Sequence, residues 1–175
     1  MESPDVFLLG QIRWQFFGTL TFKSERLPER VRLALWFALL RKAAKRFHRH
    51  FPKLPWCLRQ EDGETTGRRH FHFLLAGLPP DAVNLQTCFW LMAHWENLGG
   101  GMARISLFDP RLNAAGYLTK TGQGSPDAGD HYESAKFGHD ACHLMLSHGA
   151  KAILASLQLS GQRGRSALRR ELSHE

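Results

Sequence analysis

The sequence predicts an α+β domain, a four- to five-stranded antiparallel sheet with helices packed on it, arranged as a split βαβ core. Three observations predict it. Segments rich in aromatic and β-branched residues, some with two-residue alternation, are interleaved with segments whose apolar residues recur every three or four positions. They follow the order strand, helix, strand, strand, helix, strand, helix. At 175 residues, 43% of them hydrophobic, the chain is long and apolar enough for one domain with a real core.

The first strand spans Arg13 to Lys23, where Thr19 and Thr21 alternate with Leu20 and Phe22. After Pro28 a helix runs to about His50, with Leu33, Trp36, Phe37, Leu40, Ala44 and Phe47 as its apolar stripe. Pro52 and Pro55 end it. Trp56 to Asp62 and Arg68 to Ala76 flank the polar segment G-E-T-T-G, which reads as a β-hairpin. Pro79-Pro80-Asp81 starts a second helix carrying Leu85, Cys88, Phe89, Met92 and Trp95, and Gly99-Gly100-Gly101 stops it. A strand over Met102 to Phe108 follows. Asp109-Pro110 then opens a third helix reaching about Thr121. This β-α-β-β-α-β order is the ferredoxin-like or RRM-like arrangement. Residues 1–121 form the core by this reading. Residues 122–175 add a loop, a helix from Ala150 to Leu159 and a basic tail to the same domain.

A net charge of +7 favours a polyanionic partner. Much of the excess lies between Arg26 and Lys53, where Arg30, Arg32, Arg41, Lys42, Lys45, Arg46 and Arg49 face only Glu25 and Glu29. That run is either the solvated face of a helix or a DNA contact. Cys57, Cys88 and Cys142 form no C-x-x-C pair, which argues against a disulfide framework or a zinc ribbon. No basic, then apolar, leader opens the chain, and no apolar run approaches the roughly 20 residues that span a bilayer. A soluble, cytoplasmic protein with no membrane partner is expected.

His70-Phe71-His72 is the sharpest local signal. On a strand, residues two apart share a face, so both imidazoles can reach one ion while Phe71 enters the core. A hairpin centred between Thr65 and Thr66 sets Glu61 opposite His70, with Cβ atoms about 5 Å apart. Asp62 and Glu64 are alternative third ligands in a slipped register. Two imidazoles and a carboxylate suit Mn²⁺ or Mg²⁺ acting on a phosphate, and imidazole would also accept zinc or nickel. Tyr117 and Lys120 are three apart, hence on one face of the third helix.

Phe17 to Phe22 (F-G-T-L-T-F), Glu61 to Leu75 (E-D-G-E-T-T-G-R-R-H-F-H-F-L-L) and Tyr117 to Lys120 (Y-L-T-K) resemble, in order and spacing, the three motifs of HUH rolling-circle replication initiators. The resemblance implies that His70 and His72 bind a catalytic metal with Glu61 as the acidic ligand. It implies that Tyr117 is the nucleophile, aided by Lys120, and that Thr19 and Thr21 lie where DNA is contacted. Lys23, Arg59, Arg68 and Arg69 complete the candidate DNA contacts. The implied activity is nicking and joining of single-stranded DNA or an origin hairpin through a 5′-phosphotyrosine. A monomer or weak dimer is expected, with host helicase and polymerase as candidate partners.

The chain departs from larger initiators. It has no G-x-x-x-x-G-K-[ST] phosphate loop, and Tyr117 has no second tyrosine one turn away. A single-tyrosine transposase is the nearest rival. A relaxase usually places its tyrosine before the histidines. A catalytically idle RRM-like binder has no use for Glu61, His70 and His72 on one face. His139, Cys142, His143 and His148 could in principle form a second metal site, but spacing places no further ligand there.

Overall fold

The computed structural model describes residues 9–62, 69–112 and 144–157. One five-stranded, fully antiparallel sheet organises them: β1 (Phe16–Phe22), β2 (Trp56–Asp62), β3 (Arg69–Leu75), β4 (Gly100–Leu107) and β5 (Leu144–Leu146), in the order β4-β1-β3-β2-β5. The first four strands have the split βαβ order expected from the sequence. The fifth is three residues long and was not located in the sequence.

Helices α1 (Glu29–Arg46) and α2 (Leu85–Asn97) cover one face. Alternation along the strands sends Phe16, Leu20, Phe22, Leu58, Phe71 and Phe73 to that side, where they meet Trp36, Leu39, Leu40, Leu91 and Trp95 in the main core. Gly18 is required here. A Cβ on it would lie 2.4 Å from the Phe73 ring, so only glycine lets that ring lie across β1. The Trp95 indole donates to the Thr21 carbonyl at 2.9 Å and ties α2 to β1.

Four helix expectations need correction. Arg32, assigned to the exposed basic run, is 1% exposed; its guanidinium donates to Gln60 Oε1 at 2.8 and 3.2 Å and to the Leu27 carbonyl. A buried guanidinium is tolerable when such acceptors meet it, and these also brace β2. The second helix starts later than Pro79-Pro80-Asp81. A short 3₁₀ turn (Pro80–Ala82) comes first, and Asn84 caps α2 by accepting the Thr87 N–H at 2.9 Å. Leu85 and Phe89, expected on its packing face, are exposed (63% and 66%), because Thr87 and Leu91 share the buried side with Cys88 and Trp95. Helix α1 ends at Arg46 rather than near His50. His48 adopts φ 52° while the Arg49 N–H reaches back to the Ala44 carbonyl at 2.8 Å, a Schellman-type stop.

The sheet's other face is divided. At one end Cys57 and Leu74 pack with Leu9, Ile12, Trp14 and Ala150, forming a second, smaller core; Ala150 belongs to helix α3 (148–157). At the other end the residues are polar. Pro110–Leu112 is a 3₁₀ turn, and the rest of the expected third helix lies outside the described residues. No helix among the described residues is long and apolar enough to cross a membrane.

Candidate metal centre

The β2–β3 register is the one the hairpin predicts. Glu61 pairs with His70, Arg59 with His72 and Asp62 with Arg69. β1 continues the rows, setting Thr21 beside His70 and Thr19 beside His72, and β4 sets Arg104 beside Thr19. The polar end is therefore two ranks across the strands, Arg59-His72-Thr19-Arg104 and Glu61-His70-Thr21.

Within these ranks the donors converge. His72 Nε2 lies 3.3 Å and His70 Nε2 3.6 Å from the same carboxylate oxygen, Glu61 Oε2. One ligand atom from each of the three residues falls within 4.8 Å of the others. The side chains are 12% (Glu61), 18% (His70) and 8% (His72) exposed, so the cluster is sheltered while His70 keeps contact with solvent. Two of the three ligands, Glu61 and His72, are oriented by neighbours. Arg59 Nε donates to the other oxygen, Glu61 Oε1, at 2.8 Å. Thr19 Oγ1 sits 3.0 Å from His72 Nδ1. Without an ion, a proton on Nε2 faces the carboxylate and the Thr19 hydroxyl donates to Nδ1. With the proton on Nδ1, the threonine oxygen accepts it and Nε2 is free to bind a metal, the arrangement that metal-binding histidines need. Phe17 lies nearly parallel to the His72 ring, with the ring centroids 6.2 Å apart.

Burial raises the cost of ionising Glu61, but hydrogen bonds from His70 and His72 and the charge of Arg59 outweigh it and hold the carboxyl well below its ordinary range. The carboxylate is thus anionic at neutral pH. Two neutral imidazoles and one anion, with solvent reaching His70, fit a divalent cation that keeps open positions for a substrate oxygen.

The other candidates fall as follows. Thr19 serves the histidine, and the Thr21 hydroxyl donates to the Met102 carbonyl at 2.9 Å. Lys23 is exposed just beyond β1. Arg59 is buried and turned to Glu61 rather than to solvent. Arg69 leaves β3 on the side opposite the histidines. Tyr117, Lys120, Glu64 and Arg68 lie outside the described residues, as do His139, Cys142 and His143; His148 is exposed. Arg104, exposed on the site's own face, was missed; its place depends on the β1–β4 register, which no hairpin turn reveals.

Comparison with protein-family models, with curated proteins and with solved structures gives no match for this chain.

Proposed function

We propose that the chain is a metal-dependent endonuclease and strand transferase of the HUH type. In this reading it nicks and rejoins single-stranded DNA, as initiators of rolling-circle replication do. One observation carries the reading: Glu61, His70 and His72 turn their ligand atoms to a common point on an otherwise polar patch of the sheet. The motif order in the sequence supports it, with Tyr117 and Lys120 following the hairpin.

Glu61, His70 and His72 would hold Mn²⁺ or Mg²⁺, with Arg59 and Thr19 fixing two of them in place. The ion supplies Lewis-acid polarisation of a phosphate oxygen. Tyr117 supplies the nucleophile. Its phenol loses a proton, with an unperturbed pKa near about 10, and a new bond forms between its oxygen and phosphorus. The bond from phosphorus to the 3′ oxygen breaks, and that oxygen takes up a proton. One phosphodiester replaces another, so the reverse step joins strands. Lys120 balances phosphate charge, and Arg104, Lys23 and Thr21 border the approach across the sheet.

Incubation with a labelled single-stranded oligonucleotide library and Mn²⁺ tests this. A covalent protein–DNA adduct is expected on denaturing gels, absent with chelator and absent in Tyr117→Phe. DNA binding without an adduct on any substrate would instead identify a non-catalytic binding module.

A further inference from the structure

A second charged surface lies on the opposite side of the molecule from the metal centre. Between Glu29 and Glu61 the chain has no Asp or Glu. Over that stretch, Arg41, Lys42, Lys45, Arg46, Arg49 and Lys53 are all exposed, on the second half of α1 and the turn that follows. None of them is ion-paired to a carboxylate among the described residues. Arg41 with Lys45, and Lys42 with Arg46, are like charges four apart on a helix, which costs stability. Charge at the helix C-terminus accounts for Lys45 and Arg46 through the helix dipole, but not for Arg41, Lys42 or Lys53.

Aromatic rings hold two of the guanidinium groups in place. Arg46 lies over Trp90 at 4.9 Å and over Phe47 at 5.6 Å, and Arg41 lies over Phe51 at 5.4 Å. A guanidinium stacked on a ring keeps its in-plane N–H donors free for phosphate oxygens. The same stacking closes the rings to bases. Trp90 has Arg46 against it and also His94, whose ring centroid is 3.9 Å away. Single-strand binders present open aromatic faces, whereas the rings set among these cations, Phe47, Phe51 and Trp90, are half-buried. The exposed Phe89 belongs to α2 rather than to this α1 surface. Nor does it carry the exposed apolar side chains that insert into a lipid surface, since Phe47 and Phe51 pack against the core.

We infer that this α1 surface binds the phosphate backbone of double-stranded nucleic acid without reading its sequence, on the side of the sheet opposite the metal centre. Such a site would grip a duplex or hairpin stem while the other face handles a single strand. The inference rests on charge and ring stacking and does not depend on the metal chemistry.

The test uses the full chain in chelator, with a labelled DNA duplex of arbitrary sequence, read by fluorescence anisotropy at several salt concentrations. Arg41→Gln/Lys45→Gln/Arg49→Gln should weaken duplex binding tenfold or more. It should also lower the salt-dependence slope by about 2 to 3, given a slope of roughly 0.9 per phosphate contact. The charge-preserving variant Lys45→Arg/Arg49→Lys, which leaves the ring-stacked Arg41 and Arg46 in place, should bind nearly as the parent does, which separates lost contacts from lost folding. Equal weakening in Arg13→Gln/Arg26→Gln/Lys151→Gln would overturn the proposal by making net charge the cause. Tighter binding of a single strand of equal length, or of phosphatidylserine vesicles, through the same three residues would overturn it in favour of those ligands.

Discussion

His72 and Leu74 are two residues apart on β3 and leave it on the same face, yet they belong to different worlds. Leu74 is sealed with Cys57 beneath Leu9, Ile12, Trp14 and Ala150. His72 stands among Glu61, His70 and Thr19. Phe17, packed against both groups, marks the border. The strand backbone is the same at both ends. What differs is the cover: segments from before β1 and after β5 close one end, and no described segment packs over the other. A single sheet face therefore carries a sealed apolar cluster at one end and a polar patch at the other.

Exchanging one residue at each end should separate the two roles. Leu74→Ala is expected to cost about 3 kcal/mol by removing buried methyl groups and leaving a cavity. Mn²⁺ affinity of the folded fraction should stay within threefold. His72→Ala should do the reverse, with metal affinity down a hundredfold or more and stability in chelator changed by no more than about 1 kcal/mol. Urea melts and calorimetric Mn²⁺ titrations read both quantities. A loss of metal affinity in folded Leu74→Ala would show that the ends are mechanically coupled.

Glu61 gives the polar end its own dependence on pH. Its folded pKa is depressed below the ordinary value of 4.5. Its stabilising contribution is then complete above that value and is lost as the pH falls below it toward the folded value. In chelator, the parent protein should lose stability on going from pH 6 to pH 3, and Glu61→Gln should lose distinctly less. Equal acid sensitivity in the two proteins would show that the carboxylate is not held by His70, His72 and Arg59 in solution.

A smaller effect belongs to Thr19. Thr19→Val keeps the shape of the side chain but removes the acceptor for His72 Nδ1–H. Loss of such an orienting contact typically costs metal affinity about 10- to 100-fold. The melting curve should barely move, since Thr19 is only half-buried. Unchanged Mn²⁺ affinity would assign the hydroxyl to packing alone.

The contrast between the ends was partly legible in the sequence. Strand alternation set His70 and His72 together and sent Phe71 inward. The short polar turn fixed the hairpin register and so brought in Glu61. Both are local, and local rules are what a sequence states openly. Periodicity failed at Arg32, because a pattern treats every arginine as outward-facing and cannot see that Gln60 and the Leu27 carbonyl stand ready to accept its donors. Arg59 and Thr19 were singled out as DNA contacts. Their observed partners, Glu61 and His72, are cross-strand neighbours whose side-chain geometry no spacing encodes. β5 escaped notice because three residues carry too little alternation to stand out.

The apolar end can be tested by chemistry that requires a thiolate. Cys57 is fully buried, and that burial pushes its thiol pKa up to about 12 despite the nearby charge of Arg59. Alkylation proceeds through the ionised form, so the folded protein should resist it both by access and by protonation. At pH 8, peptide mapping by mass spectrometry should find Cys57 unmodified in native protein over a period in which urea-unfolded protein reacts completely. Leu74→Ala, which loosens the same cluster, should raise the labelling rate of Cys57, whereas His72→Ala should leave it unchanged. Fast labelling of Cys57 in the native parent would mean that Leu9, Ile12, Trp14 and α3 do not hold that end closed, and the division of this face into a sealed half and a polar half would fail.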